Sequence, residues 1–406
     1  MNVRMAGRGG LAAIIVGLVT LAGAAPVAMA QPGGGGGGGF RQAMAPAVNS
    51  RSLDKYAKML DMTDDQKEAA RTLFEGYQDQ ANHSREKLQA QMDDVRQKFR
   101  DTRDPSVWQS MGDTMTKFRE DRKKADAAFF DDVKSVLTPS QIEKWPEVER
   151  ANRRETVMRR GFISGERVNL FDVVDQMKFS PETMTQVTPI LKEYDEQLDR
   201  ALIAREAITE EGFTKFQQLR ASGDMKAMQD FMDKGREVAN RVKETNKKFA
   251  RSIADVIPED QQAAFNTEVQ KRTFPDVYRD TAADREIAAA SGFADLTADQ
   301  KEKLQSLKDN YTRSLTPLQQ KMASTQEETE QKITAAEMMA RFRGGQDGPM
   351  GDLRRERREL VSKTQDDLKK ILSPEQADRL PVGDEGGDGP PGGDQPGRRA
   401  RQRPDT

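Results

Sequence analysis

The chain has 406 residues, a third of them charged, with 65 Lys plus Arg against 67 Asp plus Glu. So even a balance excludes the basic surplus of a dedicated nucleic-acid binder. The absence of cysteine excludes disulfides, thiol nucleophiles, zinc–thiolate sites and a lipidated cysteine anchor, and the lone histidine, His83, builds neither a His-based metal site nor a triad by itself.

Arg4 and Arg8 precede an apolar run from 11 to 25, and Ala28-Met29-Ala30 is a small-x-small cleavage site. Residues 1–30 therefore read as a secretory signal peptide, which implies a periplasmic or secreted protein. The run is short for a bilayer span, and nothing like it follows, so no integral membrane span is expected. Residues 31–50, with glycines from Gly33 to Gly39, read as a flexible linker. Residues 381–406, rich in Gly, Pro, Asp and Arg, read as a disordered tail.

Between these ends stand six short helix-start motifs. They read Met62-Thr63-Asp64-Asp65-Gln66, Leu137-Thr138-Pro139-Ser140-Gln141, Phe179-Ser180-Pro181-Glu182-Thr183, Ile257-Pro258-Glu259-Asp260-Gln261, Leu296-Thr297-Ala298-Asp299-Gln300 and Leu372-Ser373-Pro374-Glu375-Gln376. The cap positions of the first, third and fifth are 63, 180 and 297, two equal steps of 117 residues. Such regularity means one unit present three times. The units are placed at 51–165, 166–280 and 281–380. A Ser or Thr hydroxyl followed three residues on by Gln is a capping box: the hydroxyl accepts from a first-turn amide and the Gln reaches back to the cap amide. Proline at the first helical position and acidic residues in the first turn favour the same helix start. The capping residues are Thr63, Gln66, Thr138, Gln141, Ser180, Gln261, Thr297, Gln300, Ser373 and Gln376. The second unit departs most, because Thr183 takes a Gln place and Pro258 a hydroxyl place.

Within each unit the apolar residues advance by threes and fours. An outgoing helix carries Ala70, Leu73, Tyr77, Leu88, Met92 and Val95 in the first unit, Val187, Leu191, Tyr194 and Leu198 in the second, and Leu304, Leu307, Tyr311, Leu315 and Met322 in the third. Pro189 and Pro317 fall inside these stretches and are expected to kink or interrupt them. Turn signals follow at 101–105, 221–224 and 344–349. A returning helix then carries Met115, Phe118, Phe129 and Val133, or Met228, Phe231, Val242 and Phe249, or Leu353, Leu360 and Leu368. The expected fold is all-α: three tandem long antiparallel helical hairpins with short flanking helices.

A Leu-Thr-x-x-Gln pair bracketing a long helical hairpin behind a secretory signal resembles the LTXXQ-motif periplasmic stress proteins, the Spy and CpxP group. The motif stands in full at Leu137–Gln141 and Leu296–Gln300, and nearly so at Met62–Gln66 and Leu372–Gln376. The resemblance implies an ATP-independent chaperone or stress-signalling modulator that holds unfolded or envelope proteins on mixed apolar and basic surface. Candidate client-binding residues are Met111, Met115, Met228, Met232, Arg354, Arg355, Arg357 and Arg358, since methionine adapts to many partners. The same methionines also read as hairpin core. Relatives usually carry one unit and pair as dimers, so three units in one chain leave homo-oligomerisation open. No nucleophile-and-base motif, phosphate loop or metal cluster is present, which points to a non-enzymatic protein without cofactors. A structural scaffold of the cell envelope is the rival expectation.

Overall fold

A computed structural model describes residues 46–104, 109–337 and 348–381. The expected signal peptide, most of the glycine linker and the tail beyond 381 lie outside them. The described residues are 84% helical, with fifteen helices and no strand. In chain order the α-helices are α1 (Ser50–Met59), α2 (Asp64–Thr102), α3 (Gln109–Ser135), α4 (Pro139–Glu143), α5 (Trp145–Val157), α6 (Leu170–Met177), α7 (Pro181–Ser222) and α8 (Met225–Ala254). They continue with α9 (Glu259–Thr273), α10 (Pro275–Tyr278), α11 (Ala282–Ser291), α12 (Ala298–Lys332), α13 (Gly348–Ile371) and α14 (Pro374–Ala377). A 3₁₀ turn, Met158–Arg160, follows α5.

Three pairs, α2 with α3, α7 with α8 and α12 with α13, pack as long hairpins, each leading to its own apolar cluster. The stripes predict the inward faces well: Ala70, Tyr77, Leu88, Met92 and Val95 are buried along α2, and Val187, Leu191, Tyr194 and Leu198 along α7. Two outgoing helices stop in the left-handed conformation, in which the cap amide donates back to a carbonyl four residues earlier, Arg103 to Phe99 and Gly223 to Leu219. Gly223 does so at φ +68°, without a Cβ penalty, and Arg103 at φ +54° despite one.

Each unit also repeats a tyrosine fourteen residues after its first cap. Tyr77, Tyr194 and Tyr311 all lie buried under the segment that enters the unit. Ala47 donates its amide to the Tyr77 hydroxyl at 3.0 Å, Leu170 donates to Tyr194 at 3.4 Å, and the Thr281 and Tyr311 hydroxyls meet at 2.6 Å. On the returning helix Tyr77 donates to Asp126 at 2.6 Å and Tyr194 to Asn246 at 2.9 Å. In the first two units one ring thus pins the entering segment to both helices of the hairpin. Burial pushes all three of the phenols Tyr56, Tyr77 and Tyr194 far above their ordinary range, so they serve only as neutral hydrogen-bonding groups.

Two expectations need correction. Pro189 and Pro317 do not interrupt α7 or α12, which run through them. The residue before each, Thr188 or Thr316, donates its hydroxyl to a carbonyl four back, at 2.7 and 2.8 Å. Buried Val187 and Leu191, or Leu315 and Leu318, flank the prolines, and their packing offsets the roughly 3 kcal/mol an internal proline costs. Second, α12 stops at Lys332, well before the turn expected at 344–349. Arg236 of α8 donates to the carbonyls of Gln331 at 3.0 Å and Ile333 at 2.6 Å, occupying groups that a longer helix would have used internally. Thr334 and Glu337 then close a new capping box. The unit boundary placed at 165 falls in the loop between the 3₁₀ turn and α6, and that loop is buried. Ile163, Ser164, Glu166 and Val168 are buried, and Val157 and Met158 of the preceding unit pack into the second unit's core.

Candidate functional site

The capping boxes build more than helix starts, because the two boxes of a unit meet in space. In the first unit Thr63 accepts from the Gln66 amide at 3.3 Å, and Gln66 Oε1 accepts from the Thr63 amide at 3.0 Å. Thr138 and Gln141 do the same at 3.4 and 2.9 Å. Each Gln closes its own box with its oxygen alone, which leaves its NH₂ free to reach the other box. Gln66 Nε2 donates to Gln141 Oε1 at 2.8 Å and to the Val136 carbonyl at 2.8 Å. Gln141 Nε2 donates to Gln66 Oε1 and to the Leu60 carbonyl, both at 3.0 Å, and lies 3.3 Å from the Asp61 carbonyl. The two side chains form a reciprocal amide pair that closes the base of the hairpin. Lys144 and Asp61 add an ion pair at 2.7 Å on its rim, where hydrogen bonding lowers the Asp61 carboxyl and raises the Lys144 amine.

The third unit repeats the clasp. Gln300 closes on Thr297 and Gln376 on Ser373, and Gln300 Nε2 donates to Gln376 Oε1 at 2.8 Å and to the Ile371 carbonyl at 3.0 Å. Gln376 donates to the Asp295 carbonyl at 3.2 Å, and Arg379 grips the Asp295 carboxylate at 2.7 Å. This explains why the motif carries Gln. A Glu would serve a lone capping box equally well, but it has no donor for the partner box.

The second unit lacks this clasp. Ser180 accepts from the Thr183 amide at 3.3 Å, so the hydroxyl half of the cap is kept, but Thr183 is too short to reach back. Pro258 offers α9 no side-chain cap, and the Gln261 amide donates to the Pro258 carbonyl at 2.9 Å instead. The base of this hairpin is apolar: Phe179, Ile257 and Phe265 belong to one buried cluster, with the two rings 6.3 Å apart.

The hairpins are joined by charge. Arg150 and Arg154 of α5 both pair with Asp195 of α7, and Arg153 donates to Asp199 at 2.7 Å. Glu166, 1% exposed, accepts from Arg205 at 2.5 Å and from the Phe162 amide at 2.8 Å. Asn246 donates to the Gly165 carbonyl at 2.8 Å. On the other side Lys243 donates to Glu327 at 2.5 Å, and the Ser164 amide and hydroxyl donate to Glu330 at 2.8 and 2.7 Å. Burial, then repulsion from Arg160 and Arg122, pulls Arg119 down to about 10, which marks a crowded basic patch beside the first seam.

The candidate client-binding residues divide. Met115, Met228 and Met232 are buried and belong to the hairpin interior, which corrects their reading as adaptable surface. The reason is their place in the apolar stripe. Met111 stands in α3, and its side chain lies outside the described residues. Arg357 is also inside, at 3% exposure, donating to the carbonyls of Asp276 at 2.9 Å and Val277 at 3.1 Å, where it caps the last turn of α10. Arg355 and Arg358 are exposed, Arg354 is half-buried, and Arg355 pairs with Asp352 at 3.1 Å. His83 is exposed on α2.

Sequence reasoning missed the tyrosine pins, although their equal spacing of 117 residues was there to be read. It also missed the capping boxes Thr281–Asp284 and Thr334–Glu337, whose third residues are acidic. Among the described residues no group of three His, Cys, Asp or Glu side chains is placed to hold a metal ion, and no helix is long and apolar enough to cross a membrane. No family model, curated protein or solved structure matches this chain.

Proposed function

We propose that the chain is an exported, ATP-independent chaperone-like or envelope-stress protein that holds unfolded or envelope proteins on the surfaces of its hairpins. The observation that supports this reading is the pairing of the Leu-Thr-x-x-Gln motifs at the base of the first and third hairpins, reciprocal between Gln66 and Gln141 and one-way from Gln300 to Gln376. That arrangement gives the resemblance to the LTXXQ stress proteins a physical content beyond a short string. The hairpins expose interspersed basic and acidic side chains, with single apolar residues such as Ile142, Ile203 and Met225 among them. Contacts with such a surface are weak, broad and reduced by salt.

The test is suppression of aggregation. Purified mature protein is mixed at equimolar ratio with a chemically denatured model client, without nucleotide, and light scattering is followed. Protection well above that of an inert protein at equal mass supports the proposal; equality with the inert protein sinks it. A second reading, a non-catalytic scaffold of the envelope, is favoured by the ionic seams, which tie each hairpin to the next. A scaffold retains one partner in a pull-down from envelope extract and leaves client aggregation unchanged.

A further inference from the structure

The seams between hairpins use one register twice. Lys123 stands fifteen residues before the second cap of its unit, Thr138, and Lys243 stands fifteen before Pro258. Glu210 stands thirty residues after Ser180, and Glu327 stands thirty after Thr297. Each lysine, on a returning helix, donates to the glutamate on the outgoing helix of the next unit. Lys123 meets Glu210 at 2.9 Å, and Lys243 meets Glu327 at 2.5 Å. Towards the tip of the second hairpin, Arg236 of α8 continues the seam, donating to the Gln331 and Ile333 carbonyls.

The same two places exist once more, and there they are not joined to each other. Fifteen residues before Ser373 the donor place holds Arg358, which is exposed on α13 and makes no ion pair among the described residues. Thirty residues after Thr63 the acceptor place holds Asp93, exposed on α2. Asp93 pairs with Arg96 at 3.1 Å, but an exposed pair three residues apart on one helix contributes little. Among the described residues no outgoing helix follows α13 and no returning helix precedes α2.

We propose that a second copy of this chain fills both places: α13 of one copy docks head to tail on α2 of the next, with Arg358 against Asp93. The contact extends the internal seams in their own register. Moving towards the tip lowers the residue number on the returning helix and raises it on the outgoing one, so Arg354 comes opposite Gln97. Basic charge on α13 at Arg354, Arg355 and Arg358 meets Asp93 and Asp94 of α2. Two different patches of the chain meet, so the association is heterologous and builds rows or rings instead of a two-fold dimer. Inside the chain α5 and α10 reinforce the seams by packing on α7 and α12. A copy-to-copy contact lacks such a helix, which makes it weak and sensitive to salt. The proposal is independent of client binding.

The test uses the mature full-length chain, which has no cysteine of its own. Gln89→Cys in one chain and Ser362→Cys in another place exposed thiols one turn from the proposed pair, towards the base of both hairpins, and leave Asp93 and Arg358 intact. The two are mixed at equal concentration and low salt, and a short bismaleimide is added. Docking raises the local concentration of one thiol beside the other, so the mixed cross-link forms at least about tenfold faster than either chain links to itself. Arg358→Glu in the second chain lowers the mixed rate to the self-linking rate, and Asp93→Arg in the first chain then restores it. A mixed rate no higher than the self-linking rates overturns the proposal. So does faster self-linking, which would mean a two-fold pairing. A mixed rate indifferent to Arg358→Glu, or not restored by the charge swap, overturns the register.

Discussion

Gln141→Glu isolates what the clasp adds to a capping box. The substitution is nearly isosteric, and a carboxylate oxygen can still accept from the Thr138 amide. By local rules it is neutral or favourable, since an acidic group in the first turn gains about 0.3–1 kcal/mol from the helix dipole. What it removes is the NH₂ group, whose hydrogens reach the Leu60 carbonyl, the Asp61 carbonyl and Gln66 Oε1 at 3.0–3.3 Å. The side chain is 9% exposed, so water cannot fully replace those donors. Two to three lost bonds at about 1 kcal/mol each, less the dipole gain, leave a net cost of about 1–3 kcal/mol at neutral pH. Facing oxygens favour the protonated form of the new carboxyl. Its folded-state pKa is therefore raised, and the deficit shrinks as pH falls through that range. The assay is urea unfolding followed by the fluorescence of Trp145, which is buried beside the clasp. Trp108→Phe makes it the sole tryptophan, since the chain has two. With a slope of about 1–3 kcal/mol per M, the midpoint falls by about 0.3 M or more. A midpoint equal to or above that of the Trp108→Phe parent at pH 7 refutes the clasp, because a plain capping box is satisfied by Glu.

Three further outcomes follow from the same geometry. Thr138→Ala and Thr297→Ala each lose a cap hydroxyl and lower stability by about 0.5–2 kcal/mol, read as a lower denaturant midpoint with helical content retained. Burial raises the Asp126 carboxyl above its ordinary value, so its folded form favours protonation, and the first unit gains stability as pH falls through that raised range; Asp126→Asn removes the gain, which pH-dependent melting checks. Arg357→Ser leaves the Asp276 and Val277 carbonyls without their donor and lowers the melting midpoint, whereas Ser at Arg354, Arg355 and Arg358 together leaves the midpoint nearly unchanged and weakens client protection.

Local physics made much of the fold readable. Capping residues act within one turn, so Thr63, Thr138, Thr297 and Ser373 announce their helices regardless of what packs around them. The three-four spacing of Leu88, Met92 and Val95 likewise reflects one buried stripe. What escaped the sequence depends on contacts between distant segments. Near Lys332 only the Thr334–Glu337 box signals a new helix start; the other cause of the stop, Arg236 taking the last carbonyls, lies almost a hundred residues away. Pro189 and Pro317 carry their usual local penalty, and packing around them overrides it. Arg357 resembles its neighbours Arg354, Arg355 and Arg358 in sequence, and only the placement of α10 against α13 brings it inside. The Gln66–Gln141 pair was half visible: each box was legible alone, but their meeting across 75 residues required the closed hairpin.

The central claim is that the hairpins hold unfolded protein without nucleotide. Hydrogen exchange of the mature chain, alone and with a stoichiometric amount of a permanently unfolded, non-aggregating client, tests it most directly. The account predicts slower exchange over defined faces of the hairpins when the client is added, with the effect diminishing as salt is raised. Identical exchange with and without client, at concentrations where both proteins remain soluble, contradicts it.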